Sequence, residues 1–252
     1  MRFTEVRVRN VEDECTSYVF DTPKSIDLLE LQGSKTADLL LNMPLDEDDY
    51  DEIILFVDDA PMATYVDLGR GGVTELEVKD GDTRGNRIRG DSSISKSRKA
   101  SLVIDFDLRK SIKYSKKSGT YSLKSKLRLV SFVGCSHIRG TVDPALLRSA
   151  SECSHDRVDA FNAVYVFEGH NTKSDDIDQP KKKDVGPLTT TSIKYDSASM
   201  TNKYEAAFLP AGKYTAAFTC NANMDDLDKG NDKLRFFGTY NATVIVSDTL
   251  FL

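Results

Sequence analysis

Hydrophobic and polar residues alternate with period two along most of this chain. The first segment, Phe3-Thr4-Glu5-Val6-Arg7-Val8-Arg9, sets the pattern, and such alternation is that of a half-buried strand. Period-two or short β-rich runs predict strands at 3–11, 17–20, 52–57, 63–68, 73–78, 100–108, 121–132, 137–142, 163–168, 189–195, 204–209, 212–219 and 242–247. Turn signals separate them, among them Gly69-Arg70-Gly71-Gly72, Asp80-Gly81-Asp82, Lys117-Ser118-Gly119 and Pro210-Ala211-Gly212. Two pieces read as short helical turns. One is 26–32, with Gly33 as its C-cap; the other is 144–150, with Asp143 as N-cap and Pro144 at the first helical position. Many short strands between such turns predict an all-β sandwich or barrel.

A boundary falls near Gly134, where the run 127–133 ends and Gly140-Thr141-Val142 opens a new strand. The predicted domains are 1–134 and 135–252, each the size of one sandwich. No internal repeat relates them. The polar stretch 169–187 reads as a long mobile loop. The 252 residues include 12 Phe and 10 Tyr but no Trp, enough aromatic bulk for two cores. No apolar run approaches the roughly 20 residues of a membrane span. Thirty-four Lys and Arg against 40 Asp and Glu give a net charge of −6, which argues against a dedicated nucleic-acid binder. The basic stretch 84–99 lacks aromatic residues for base stacking and reads as a solvated loop. Its Arg89-Gly90-Asp91 reads as a chance tripeptide.

Four cysteines, Cys15, Cys135, Cys153 and Cys220, allow two disulfides in three connectivities. Disulfides imply an oxidising compartment. No signal peptide precedes the first strand, so either a targeting segment was removed or the start lies upstream. The doubled Cys-Ser-His places Cys135 with His137 and Cys153 with His155. On strands, such i, i+2 pairs share a face and could build a Cys2His2 zinc site; the competing reading makes the cysteines disulfide partners. Cysteine-protease chemistry at Cys153, His155 and Asp156 fails on geometry, since residues two apart on a strand rarely reach each other. Two acidic runs could offer oxygen ligands to calcium: 46–51, and 225–232 with Asp225, Asp226, Asp228, Asn231 and Asp232. Gly230 is not at the sixth position from a leading Asp, so neither run is an EF-hand, and a solvated loop is the alternative. Asp105 and Asp107 make one strand face acidic, opposite Arg109, Lys110 and Arg128.

Several segments resemble domain-of-unknown-function family 4382, a family of bacterial envelope proteins. They are Ile26-Asp27-Leu28-Leu29-Glu30-Leu31-Gln32-Gly33; Tyr50-Asp51-Glu52-Ile53; and Ile104-Asp105-Phe106-Asp107-Leu108-Arg109-Lys110-Ser111 with Tyr121-Ser122-Leu123-Lys124 and Leu127-Arg128-Leu129-Val130. The resemblance spans roughly 3–142 and implies a prealbumin-type or immunoglobulin-like sandwich, export, often lipid anchoring, and no attached enzymatic activity. Members carry a further first strand that is absent here, so the sandwich is expected to lack one. The second half is similar to carboxypeptidase-regulatory-like sandwiches at Gly140-Thr141-Val142-Asp143, Ala163-Val164-Tyr165-Val166-Phe167 and Phe208-Leu209-Pro210-Ala211-Gly212-Lys213-Tyr214-Thr215. By that resemblance Cys153 precedes one strand and Cys220 ends another, which implies a Cys153–Cys220 bridge and leaves Cys15–Cys135. The expected function is that of a non-catalytic, extracellular or periplasmic β-sandwich protein that binds or presents a protein or glycan at the cell surface. Alternatives are a self-associating filament subunit joined by strand donation and a zinc-dependent hydrolase. No cofactor beyond calcium is implied.

Overall fold

The computed structural model describes residues 1–79, 84–94, 100–124, 126–148, 153, 161–177, 186–227 and 232–245, with 91–94 as backbone. The fold is all-β and consists of two compact units, Met1–Leu31 with Lys35–Val133, and Gln32–Ser34 with Gly134–Leu252.

In the first unit the strands are β1 (Arg2–Asn10), β2 (Cys15–Ser25), β3 (Asp48–Val57), β4 (Tyr65–Asp67), β5 (Val73–Glu77), β6 (Asn86–Ile94), β7 (Leu102–Phe106), β8 (Ile112–Ser115), β9 (Thr120–Leu123) and β10 (Leu127–Ser131). One antiparallel sheet has the order β2-β1-β3-β6; β7 pairs with β10, and β4-β5-β9-β8 form a third sheet. A register shift between Phe3 and Glu5 adds a residue to the alternation, so that Phe3 and Val6 both reach the core. There they meet Ile53, Leu55, Val57 and Ile88, packed against Leu102, Ile104, Phe106, Leu127 and Leu129 of β7 and β10. The rings of Phe3 and Phe106 meet edge to face at 6.2 Å.

Several expectations for this unit are corrected. Of the segment 84–99 expected as a basic loop, 86–94 is strand β6, held by pairing of Ile88 with Ile53 and by burial of Ile88, and 95–99 lie outside the described residues. Arg89-Gly90-Asp91 therefore lies within a strand, and Gly90 is packed so closely that a Cβ would stand 3.0 Å from that of Leu129. No helix forms at 26–32. Turns close there through Glu30 N to Asp27 O and Leu31 N to Leu28 O, both 3.3 Å, while Asp27 accepts from Leu29 N. A short helix α1 (Leu108–Ser111) forms instead, capped by Asp107, which accepts from the backbone N–H groups of Arg109 and Lys110. The stretch expected as one strand at 121–132 is divided between β9 and β10. Strand β1 has a paired neighbour on each side, β2 and β3.

In the second unit β11 (Cys135–Val142), β15 (Thr201–Pro210) and β14 (Lys194–Asp196) form one sheet. The other is β13 (Thr189–Ser192), β12 (Ala163–Glu168), β16 (Gly212–Thr219) and β17 (Gly238–Val244), in that order. Between them pack Ile138, Val142, Val164, Val166, Ile193, Leu209, Tyr214, Ala216 and Phe218. Ile193, fully buried, marks the step from β13 in one sheet to β14 in the other, so the predicted strand at 189–195 is two. The opposite face of β12 and β16, with Ala163, Tyr165, Phe167 and Ala217, is covered by Ile177, Ala222, Leu227, Leu234 and Phe236. Strand β12 is thus buried on both faces, which accounts for its unbroken Ala163-Val164-Tyr165-Val166-Phe167 run.

The part of 169–187 that is described is packed rather than loose. Thr172 N donates to Thr215 Oγ1 at 3.1 Å, and Ile177 is buried. The predicted helix at 144–150 is a 3-10 turn at Leu146–Arg148 after Asp143, whose carboxylate accepts from Ala145 N; 149 and 150 lie outside the described residues. In the turn from β15 to β16, Tyr214 donates its hydroxyl proton to Pro210 O at 2.8 Å.

Candidate functional site

The outward face of the β2-β1-β3-β6 sheet carries a cluster of ion pairs. Register sets it. Arg9 stands opposite Glu52, and Glu52 opposite Arg89; one pleat along, Arg7 stands opposite Ile54, and Ile54 opposite Arg87. Two arginines from β1 and two from β6 thus flank β3. The Glu52 side chain has no solvent exposure. Its Oε2 lies 2.8 Å from Arg87 Nη1 and 3.2 Å from Arg9 Nε, and its Oε1 lies 3.5 Å from Arg89 Nε. Oε1 accepts no hydrogen bond, so its contact with Arg89 is ionic. Desolvating a carboxylate is costly unless cations face it, and three do. Arg9 is further held by Asp13 at 2.8 Å. Arg7 is held by Glu5 at 2.8 Å and by Ser17, and stacks 4.6 Å over the Phe56 ring. Ile54 and Phe56 are buried on this face.

The two β6 arginines differ from the two on β1. Their side chains are 52% exposed at Arg87 and 80% exposed at Arg89, and among the described residues their only ionic partner is Glu52. Two guanidinium groups therefore share one carboxylate with Arg9, which leaves spare planar N–H donors directed to solvent. Reading 84–99 as a loop hid this arrangement. The available signal was the Arg-x-Arg spacing around Ile88, a copy of Arg7-x-Arg9 around Val8.

The other predicted groups are placed as follows. Arg128 pairs with Asp105, its Nε at 3.0 Å, but Asp107 is turned away into the cap of α1. Lys110 is half-buried beside that cap, and desolvation lowers its pKa. Cys153 and Cys220 are joined as a disulfide, Cα atoms 5.1 Å apart, within the core of the second unit. The remaining bridge, Cys15–Cys135, is not formed. Both are thiols, Cys15 on β2 opposite Arg9 and Cys135 on β11 opposite Pro210.

The disulfide also removes the zinc set of Cys135, His137, Cys153 and His155, because a bonded sulfur is no thiolate ligand. His155 lies outside the described residues. His137 has its Nδ1 3.9 Å from Glu205, which Arg139 engages at 2.7 Å.

Of the acidic runs, the first enters β3, where Asp48 accepts from Asn10 Nδ2 at 2.6 Å. In the second, Asp228 and Asn231 lie outside the described residues. Asp225 turns inward, accepting from the Tyr165 hydroxyl at 2.6 Å and from Ile177 N at 3.2 Å. Burial pushes its pKa up to about 6, with the nearby Asp176 and Asp232 adding to the rise and those two hydrogen bonds opposing it. Asp232 accepts from Asp226 N, and its own N–H donates to Asp176 at 3.3 Å. Among the described residues, no group of three or more His, Cys, Asp or Glu side chains is placed to hold a metal ion.

Residues 1–125 match the family model of the domain of unknown function DUF4382. The match runs from β1 through β9. No curated protein and no solved structure matches the chain significantly.

Proposed function

We propose that this chain is a non-catalytic, exported protein of the cell envelope that binds or presents a partner at the cell surface, its second unit being a sandwich of the carboxypeptidase-regulatory-like kind. The observation that carries the reading is the buried Cys153–Cys220 disulfide, because such bonds form and persist in oxidising compartments and are rare in the cytosol. The DUF4382 match of the first unit supports it. Fractionation of producing cells tests it. The protein is expected in the envelope or the medium; recovery in the cytosol would overturn the reading.

A filament subunit joined by strand donation is the second reading, and one observation favours it. Among the described residues strand β17 stands at the end of its sheet, and Tyr240 on it is 71% exposed. An open strand edge is a template for a strand from another chain. Strand β2, the end of the first sheet, is a poorer template. Its pairing with β1 jumps from Lys24 to Val19, and Pro23 lies in the jump. A monomer by sedimentation at high concentration would exclude this second reading.

A further inference from the structure

We propose that one end of the β4-β5-β9-β8 sheet docks on an anionic phospholipid bilayer, entering its interface with the turns 68–72 and 116–119. The proposal deepens the envelope reading by naming a partner, and its test uses purified protein so that either can fail alone.

Topology places the two turns together. The first lies between β4 and β5, the second between β8 and β9. Strands β5 and β9 are neighbours and run parallel, with Leu76 opposite Tyr121. Each turn leads into one of these parallel strands, so both turns open at the same end of the sheet. There is space around them, since a Cβ at Gly69, Gly72 or Gly119 would meet no atom within 4 Å.

That end is cationic in an acidic chain. Residues 67–73 and 115–120 carry Arg70, Lys116 and Lys117 against one carboxylate, Asp67, in a chain of net charge −6. All four side chains are exposed. Asp67 accepts from Gly69 N at 2.7 Å, and among the described residues none of the three cations is in an ion pair. The next carboxylates, Glu75 and Glu77, stand two and four residues beyond Val73, farther down β5.

Apolar side chains flank these cations on both faces of the sheet. Tyr65, Leu68, Val73 and Tyr114 are each between 44% and 53% exposed. Tyr65 pairs with Glu75 and Asp67 with Val73, which puts Tyr65 and Val73 on one face. Leu76 falls on the other face, with Tyr121 and Tyr114, whose rings meet at 4.7 Å. A protein or a soluble polymer lying on the sheet covers one face, whereas a bilayer interface that the turns enter surrounds both. Tyrosine suits the headgroup level, with its ring toward the acyl chains and its hydroxyl in water. Cations beside it meet the lipid phosphates.

The test sediments the full chain with vesicles of phosphatidylcholine, made with and without phosphatidylglycerol. Binding is expected to the anionic vesicles and to be far weaker without phosphatidylglycerol. Arg70→Ala with Lys116→Ala and Lys117→Ala is expected to lower affinity about hundredfold, roughly fivefold per cation. Lys116→Arg with Lys117→Arg keeps the charge and is expected to bind as the parent does. The chain has no tryptophan, so Val73→Trp and Tyr114→Trp each supply a single fluorescent reporter, one per face. Both are expected to shift to the blue on the anionic vesicles. Val19→Trp, at an exposed position of β2, is expected to stay unshifted. The inference is overturned if the parent does not bind the anionic vesicles, if the triple alanine variant binds as tightly as the parent, or if only one of the two faces shifts. Dextran sulfate, a soluble polyanion, bound as tightly as the vesicles does the same. An envelope protein that ignores the vesicles refutes this inference alone, whereas a cytosolic protein that binds them refutes the envelope reading alone.

Discussion

Glu52 shows how much one side chain decides in the first unit. It is a carboxylate without solvent contact, held by Arg9, Arg87 and Arg89. Removing it leaves Arg87 and Arg89 without an ionic partner among the described residues, while Arg9 keeps Asp13 and Asp51. Glu52→Ala is expected to cost roughly 3 kcal/mol in urea unfolding, against less than about 1 kcal/mol for Glu5→Ala, whose partner Arg7 is partly in water. Equal costs would show that the arginines do not depend on Glu52. Asp225 gives the converse case in the second unit. Its pKa in the folded state, about 6, lies above the ordinary carboxylate value because burial penalises the charged form. The folded state therefore favours the neutral acid. That stabilisation is complete below about pH 4 and is lost as pH rises through 6. Asp225→Asn is expected to leave stability nearly unchanged at pH 4 and to raise it by about 2 kcal/mol at pH 7.5, measured by urea unfolding at both pH values. A gain confined to pH 4 would refute the assignment. Spacing alone suggested that Asp225 looks outward with other ligands. Its inward turn toward Tyr165 depends on a strand sixty residues earlier, which no local pattern encodes.

At the scale of the element, alternation located strands well where one or both faces are apolar. β12 and β16 have the predicted bounds because their residues stay buried without an exposed break from Ala163 to Phe167 and from Tyr214 to Thr219. Alternation failed at β6, where among the described side chains Ile88, between two arginines, is the one in the hydrophobic core, and where Gly90 gives way to Leu129. Amide exchange distinguishes the two accounts of this segment. Amides of 86–90 are expected to exchange slowly, as in a paired strand, whereas a solvated loop would exchange within seconds. It failed differently at 26–32, where Leu28, Leu29 and Leu31 suggested a helix but Asp27 hydrogen-bonds the backbone of Leu29 and favours a turn. Close packing between β11 and β15 yields a further prediction. A Cβ at Gly140 would lie within 3 Å of the Tyr204 ring, so Gly140→Ala is expected to destabilise the second unit by about 1–3 kcal/mol in thermal or chemical unfolding. An unchanged midpoint would mean that Tyr204 moves aside without cost.

The molecule as a whole is two β units, each with its own hydrophobic core. Its fold class was legible because strand patterning is local, whereas its candidate functional site depends on which strands become neighbours: β6 lies beside β3, across the sheet from β1. The disulfide divides the units chemically, since both of its cysteines belong to the second. It closes a separation of 67 residues, which in the chain-entropy account stabilises by about 4 kcal/mol. The same bond ties structure to compartment, and counting thiols in protein isolated from its producing cells without reductant tests that link most directly. Two reactive thiols under denaturing conditions, mapped to Cys15 and Cys135, with four after reduction, is the result predicted. Four reactive thiols before reduction would contradict both the disulfide and the exported, envelope-bound role built on it.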